Sequence, residues 1–391
     1  MGIIKRLTAA VLLAACVLSF AACSGEKNTP DKESSTAPSG QSSADEESTT
    51  EQSLEYILNE TNYSGYAYIT RENKVMLSKG CGYSDSNNTK EYDETSVFPI
   101  CSNTQQFTAA AVLLLIQQGK LSVFDTIDTF FPDCKYARDV NIHQLLSMCS
   151  GIEDYLGSTD KSGTYNMFSS DKLTVKLSKT ASAQENKKAA EKFILESELR
   201  FEPGKKAEYS CSNYFLLARI VEIISGTSYE DFITKNFLEP LNMKHTGFLD
   251  SYDGDIAQEK VKDTDYEHLF YPGAVFGSGC MVSCASDLAA WTASLVNGTI
   301  LSKDIVSDMY YFHTQLTDSV YYGYGVFTDG SGEVFFNSGS MSSYSSLIYA
   351  DNFQETYIIL LCNSPEIRID SVGTSLFNAL PTSRKLTEET E

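Results

Sequence analysis

Positive charge is scarce in this chain. Lysine and arginine together number 30 against 52 acidic residues, a formal net charge of −22 over 391 residues. A nucleic-acid binder needs a basic footprint on the phosphates, and peripheral attachment to anionic lipid needs a polybasic patch. This balance argues against both. Cysteine is also sparse: ten residues, scattered along the chain, do not make a disulfide scaffold and fix no pairing. Beyond the first 23 residues no apolar run approaches the length that spans a bilayer. Apolar residues still make up 42% of the chain and aromatics 12%, so a large core can form and the chain is not disordered as a whole.

The beginning of the chain reads as an export signal. Lys5 and Arg6 form a positive patch, residues 7–22 form an apolar run, and polar sequence starts at once with Cys23-Ser24-Gly25-Glu26. Small residues directly before a cysteine resemble a bacterial lipobox, which implies a lipoprotein signal over residues 1–22 and a diacylglyceryl group on Cys23. Leu13-Ala14-Ala15-Cys16 fits the same pattern, but the apolar run continues past Cys16 and stops at Cys23. Residues 23–52 contain almost nothing apolar and are dominated by Ser, Thr, Glu and Asp, the composition of a disordered tether. Residues 53–385 then remain for one large folded domain.

Within that domain, residues 63–83 read as a hairpin: strand formers from Tyr63 to Thr70, a polar turn at Arg71 to Lys74, then Val75-Met76-Leu77. Residues 103–118 are apolar on every face between Phe107 and Ile116, which predicts a buried helix stopped by Gly119. Further helices are expected near 141–148, 183–198, 213–224, 286–296 and 367–380, and two or three strands within 332–362. Strands at both ends with helices between predict an α+β domain whose sheet joins the N- and C-terminal parts.

At residues 98–110 (FPICSNTQQFTAA) the chain resembles the serine β-lactamase and penicillin-binding-protein superfamily, in its class C β-lactamase and DD-peptidase-related branch. The landmarks continue in order through Gly119-Lys120-Leu121-Ser122, Leu145 to Ile152, Phe201-Glu202-Pro203-Gly204, Pro240-Leu241-Asn242-Met243, the stretch from Gly279 to Leu288, and Tyr322-Gly323-Tyr324-Gly325. The resemblance implies an antiparallel sheet flanked by helices, a mainly helical lobe, and no cofactor or metal. It also implies three catalytic motifs, and all three depart from the family pattern. Ser102 opens the buried helix as the nucleophile would, but the lysine three residues on is Gln105, a carboxamide that cannot take the serine's proton. The Tyr-x-Asn motif is Tyr209-Ser210-Cys211, which keeps the acid/base tyrosine and exchanges the substrate-binding amide for a weak thiol donor. The Lys- or His-x-Gly motif is Asn337-Ser338-Gly339, with a neutral amide where a cation attracts the substrate carboxylate. The oxyanion hole implied by the resemblance is the pair of backbone N–H groups of Ser102 and Ser340, which do not depend on side-chain identity.

Two function classes follow. One is a binding protein with an impaired acyl-serine site, taking a cell-wall peptide or a protein partner; the other is an atypical serine hydrolase acting on an ester, amide or D-amino-acid peptide through Ser102 and Tyr209. With amides at 105 and 337, the expected ligand is one not held by its carboxylate. Several strings are decoys. Ser158 to Lys161 and Ser169 to Lys172 repeat the S-x-x-K pattern in polar sequence, and His245-Thr246-Gly247 mimics the third motif in a surface turn. Cys211 lacks an aligned histidine and reads as a packed thiol; Cys280 and Cys284 read as core. Lys205 and Lys206 are the candidates for a displaced cation, as are the lysines of the 158–190 insertion, against the simpler reading of a solvated turn.

Overall fold

A computed structural model describes residues 43–72, 74–156, 177–260, 269–317, 320–352 and 354–381. The export signal, Cys16, Cys23 and the S-x-x-K strings at 158 and 169 lie outside them.

The first described element corrects the tether boundary. Helix α1, Ser43–Glu60, begins ten residues inside the segment read as disordered. Leu54 and Leu58, four apart and fully buried, give it an anchoring stripe. The predicted hairpin follows as β1 (Gly65–Arg71) and β2 (Lys74–Cys81). A short strand β3 (Phe98–Pro99) and a 3₁₀ turn (Cys101–Asn103) lead into α2, Thr104–Gln117. Every residue of α2 from Thr104 to Leu115 is buried, so the apolar run reads correctly as a core helix. Helices α3 (Ile142–Leu146), α4 (Ala183–Glu196), α5 (Cys211–Ser225) and α6 (Tyr229–Ile233) build the helical lobe. Then come β4 (Gly247–Phe248), β5 (Met281–Ser283), α7 (Ala285–Asn297) and α8 (Lys303–Tyr310). The chain closes with β6 (Thr314–Thr317), β7 (Val320–Tyr322), β8 (Phe327–Thr328), β9 (Val334–Met341), β10 (Tyr344–Asp351), β11 (Thr356–Cys362) and α9 (Ile369–Ala379).

The main sheet has eight strands in the order β2-β1-β11-β10-β9-β8-β7-β6, and each neighbouring pair runs antiparallel. β1 pairs with β11 from Gly65↔Cys362 to Arg71↔Thr356, so the two ends of the domain meet as the second and third strands of one sheet. A second sheet, β3-β5-β4, fixes the approach to α2. In the core beside it, Phe107 of α2 stacks on Trp291 of α7 with ring centroids 4.0 Å apart. The α+β architecture thus agrees with the expectation, while α6, α8 and the short strands β6 to β8 were not anticipated, because elements of two to eight residues carry too few positions for a periodicity to show.

Candidate active site

Ser102 is held by an unusual turn. Ile100 is pinned to β5 by its N–H donating to the Met281 carbonyl at 3.0 Å. Cys101 then adopts a left-handed conformation, φ 52°, which a non-glycine residue keeps only when its surroundings enforce it. A buried hydrogen-bond chain does so. The Ser346 hydroxyl of β10 donates to the Ile100 carbonyl at 2.6 Å, and Asn103 Nδ2 donates to Ser346 Oγ at 2.8 Å. Gln106 Nε2 donates to Asn103 Oδ1 at 2.8 Å, and Trp291 Nε1 reaches Gln106 Oε1 at 3.4 Å. All four side chains are fully buried, where each satisfied bond counts for more than at the surface.

Gly339 of the third motif has a steric reason. A Cβ there would stand 2.6 Å from the Ile100 carbonyl oxygen and 2.8 Å from the Ser102 nitrogen. Only glycine lets β9 close onto the serine turn, and this brings the Ser102 N–H beside the start of Ser340, whose side chain is exposed. The two amides of the implied oxyanion hole therefore belong to adjacent pieces of backbone.

Gln105 is fully buried and held at both ends of its amide. Its Nε2 donates to the Tyr209 hydroxyl at 2.5 Å, and its Oε1 accepts from the Tyr322 hydroxyl at 3.0 Å. Tyr209 also lies near enough to the Ser102 side chain to interact with it. Burial holds the Tyr209 phenol well above its ordinary value, reinforced by the neighbouring Cys211 and Asp154, while Ser102 and Gln105 act in the opposite direction. The phenol is therefore neutral at physiological pH. It can donate a proton, but it is no base for Ser102.

Cys211, at the first residue of α5, is buried. Burial first, then Asp154, drives its thiol well above the normal range, although Ser278 and Tyr209 hydrogen-bond it. Among the described residues no imidazole hydrogen-bonds it, and a protonated thiol is not a nucleophile. Asn337, placed by resemblance among the substrate-binding residues, is instead a strut. It is fully buried, and its Nδ2 donates to the carbonyls of Ser102 at 3.3 Å and Gly325 at 3.1 Å. A short amide at this position reaches the backbone next to it and no further.

Of the displaced-cation candidates, Lys161, Lys172 and Lys176 lie outside the described residues, and the described ones do not reach the serine. Lys205 and Lys206 are exposed, and Lys205 faces Glu202 across 3.9 Å. Lys187 of α4 is paired with Glu222 at 2.9 Å. Among the described residues no lysine nitrogen hydrogen-bonds Ser102, Gln105 or Tyr209. The decoy at 245–247 is structural: His245 N–H and the Thr246 hydroxyl both donate to Asp287 at 2.8 Å. Cys280 and Cys284 are buried, with burial pushing their thiols up to about 12 and about 11. Among the described residues no group of three or more His, Cys, Asp or Glu side chains is placed to hold a metal.

The sequence reading did not assign Tyr322, Ser278 or Asp154 to the site. Tyr322 lies within the Tyr-Gly-Tyr-Gly landmark, which was the signal available. The same landmark carries Tyr324, which stacks on His313 at 3.8 Å and meets His143 Nδ1 at 2.8 Å.

A serine at the head of a buried helix, a tyrosine beside it and a glycine-bearing strand edge closing onto it make up the candidate site on an α+β scaffold. The beta-lactamase family profile matches residues 57–371, and the chain belongs to that family. It is 28% identical over 316 residues to the protein flp of Staphylococcus aureus, covering 75% of this chain but only 58% of that relative's length. The crystal structure of a penicillin-binding protein from Bacillus halodurans superposes with a TM-score of 0.69 at 21% identity, over 84% of this chain and all of that one. A D-amino acid amidase from Ochrobactrum anthropi, solved with D-phenylalanine, gives 0.68 at 19% identity, over 88% of this chain and all of that one. These last two similarities establish the fold.

Proposed function

We propose that this protein is an exported, lipid-anchored member of the family whose serine cleft binds a cell-wall peptide, or a small ester or amide, without turning it over efficiently. The observation that carries the reading is the double engagement of Gln105 by Tyr209 and Tyr322. Acylation would form a bond from Ser102 Oγ to the substrate carbonyl and release the hydroxyl proton. Gln105 has no titratable nitrogen to take it and Tyr209 already holds its own. Loss of a general base costs on the order of 10² to 10⁴ in rate. The backbone amides of Ser102 and Ser340 remain suited to holding a carbonyl oxygen, so binding geometry survives where proton transfer does not. The anchor rests on the sequence from Lys5 to Glu26; among the described residues no helix is long and apolar enough to cross a membrane.

The contact between the Tyr209 hydroxyl and Ser102 favours a second reading, a slow atypical hydrolase with Ser102 as nucleophile. Incubation with a fluorescent penicillin separates the two. The binding reading expects no covalent band on a denaturing gel, and a band that disappears in Ser102→Ala would replace it with the hydrolase reading.

A further inference from the structure

The turn Tyr322-Gly323-Tyr324-Gly325, between β7 and β8, touches the candidate site on one side and a pair of histidines on the other. Toward the site, the Tyr322 hydroxyl donates to Gln105 Oε1 at 3.0 Å. Gly325, at φ 77°, passes so close that a Cβ there would stand 2.7 Å from the Gln105 carbonyl oxygen. The Gly325 carbonyl accepts from Asn337 Nδ2 at 3.1 Å, and the same nitrogen donates to the Ser102 carbonyl at 3.3 Å. Away from the site, the hydroxyl of buried Tyr324 meets His143 Nδ1 of α3 at 2.8 Å, and its ring stacks on His313 at 3.8 Å. The two imidazoles meet edge to face with centroids 5.3 Å apart. The backbone joins the two sides as well. His313 N–H donates to the Tyr322 carbonyl at 2.9 Å, and Gly323 N–H donates to the Val326 carbonyl at 2.9 Å.

Three other groups face this cluster. His313 Nε2 lies 2.9 Å from the Asp308 carbonyl oxygen of α8 and 3.7 Å from its carboxylate. Tyr311 meets the His313 ring edge-on at 5.6 Å. Cys149 acts on Tyr324 from the helical lobe, with burial holding its thiol protonated. Burial likewise holds both imidazoles below their ordinary 6.5. A neutral Nδ1 can accept the Tyr324 O–H, and a proton on that nitrogen takes the lone pair away. Protonating both rings also sets two cations 5.3 Å apart, of which Asp308 reaches His313 at 3.7 Å.

We propose that His143 and His313 form a pH-sensitive latch on the serine site: when both become cationic, Tyr324 is displaced and the contact of Tyr322 with Gln105 loosens with it. Tyr322 and Tyr324 are one residue apart in a turn closed by its own hydrogen bond and packed against Gln105. A shift of Tyr324 therefore has no slack in which to dissipate. The latch acts on the hold over Gln105, and through it on Tyr209, whether the cleft binds a ligand or turns it over.

Nuclear magnetic resonance of the whole protein carrying isotope-labelled glutamine tests this without any ligand. The side-chain amide signals of Gln105 are identified by their absence from Gln105→Met. Between about pH 8 and pH 5 they should shift along one curve with a midpoint below 6.5, matching a histidine ring-proton midpoint in the same sample, while exposed Gln118 stays in place. The shift should be lost in His143→Gln/His313→Gln. In Tyr324→Phe, which keeps the ring stack and removes the hydroxyl, the histidines should still titrate while Gln105 follows them far less. If these variants do not fold, the coincidence of midpoints in the native protein decides. Gln105 signals that stay fixed in the native protein, a midpoint that matches no histidine, or a shift undiminished in the double variant each overturn the latch. All three results leave the proposed function standing, which the labelling of Ser102 tests separately.

Discussion

Gly339→Ala is the sharpest perturbation of the serine turn. Its Cβ would meet the Ile100 carbonyl oxygen at 2.6 Å, the Ser102 nitrogen at 2.8 Å and Cys101 Cβ at 2.9 Å. Two of these are backbone atoms and none is the flexible end of a side chain, so the strain cannot be relieved by a rotamer change. Either β9 moves away from the turn or the turn moves away from β9. Moving the turn disturbs the Ser346 bond to Ile100 and the Asn103 bond to Ser346. Overpacking of this kind costs about 1 to 3 kcal/mol. A strained pair of buried hydrogen bonds brings the expected loss to about 2 to 3 kcal/mol. At an unfolding entropy of about 2.1 cal/mol/K per residue over roughly 330 residues, each kcal/mol shifts the melting temperature by about 1.5 °C, so it should fall by about 3 to 5 °C. Differential scanning calorimetry reads this directly, with Ser340→Ala, one residue on and exposed, as the control that should melt within about 1 °C of the native protein. A Gly339→Ala variant that melts with the native protein would refute the close approach of β9 to Ser102.

Two further predictions concern pH. Burial lowers His143 and His313 from their ordinary 6.5, with His313 lowering His143 further and Asp308 opposing both; the two rings meet edge to face, and Tyr324 stacks on His313 and meets His143. The folded state then binds fewer protons than the unfolded one near pH 6, so their contribution is complete at neutral pH and lost as pH falls below 6.5. Urea midpoints should drop on acidification with a steeper slope than in the double variant His143→Gln/His313→Gln, and equal slopes would refute it. Asp370 behaves oppositely: burial raises its carboxyl to about 6, with a hydrogen bond to Ser338 only partly offsetting this. Its folded pKa lies above its unfolded one, so it destabilises the ionised native state. Asp370→Asn should therefore stabilise the protein at pH 7 by about 1 to 3 kcal/mol, a gain that shrinks toward pH 4; a loss at pH 7 would contradict it.

Much of this architecture was legible from local signals. The hairpin at β1–β2, the all-apolar helix α2 and the long strands β9 to β11 each announce themselves over seven or more residues. The serine turn was legible as well, because Ser102 and Gln105 sit at fixed spacing, one in the 3₁₀ turn and the other in the first turn of α2. What stayed hidden depends on distance along the chain. Tyr322 reaches Gln105 across 217 residues from a strand of three residues, and His143 meets Tyr324 across 181. Asp154 stands in a loop, where no periodicity marks a side chain as facing the site. The part played by Asn337 was misjudged because alignment gives a position and says nothing of reach: a lysine would extend past the backbone carbonyls to which the shorter amide is tied. The tether boundary failed because composition alone dominated the reading, and the stripe made by Leu54 and Leu58 lies beyond residue 52.

The central claim is that Ser102 has no base. Intact-mass spectrometry of the native protein after prolonged incubation with a fluorophosphonate tests it most directly. The account predicts an unmodified mass, identical in behaviour to Ser102→Ala. A stoichiometric adduct that maps to Ser102 and is absent from Ser102→Ala would contradict it.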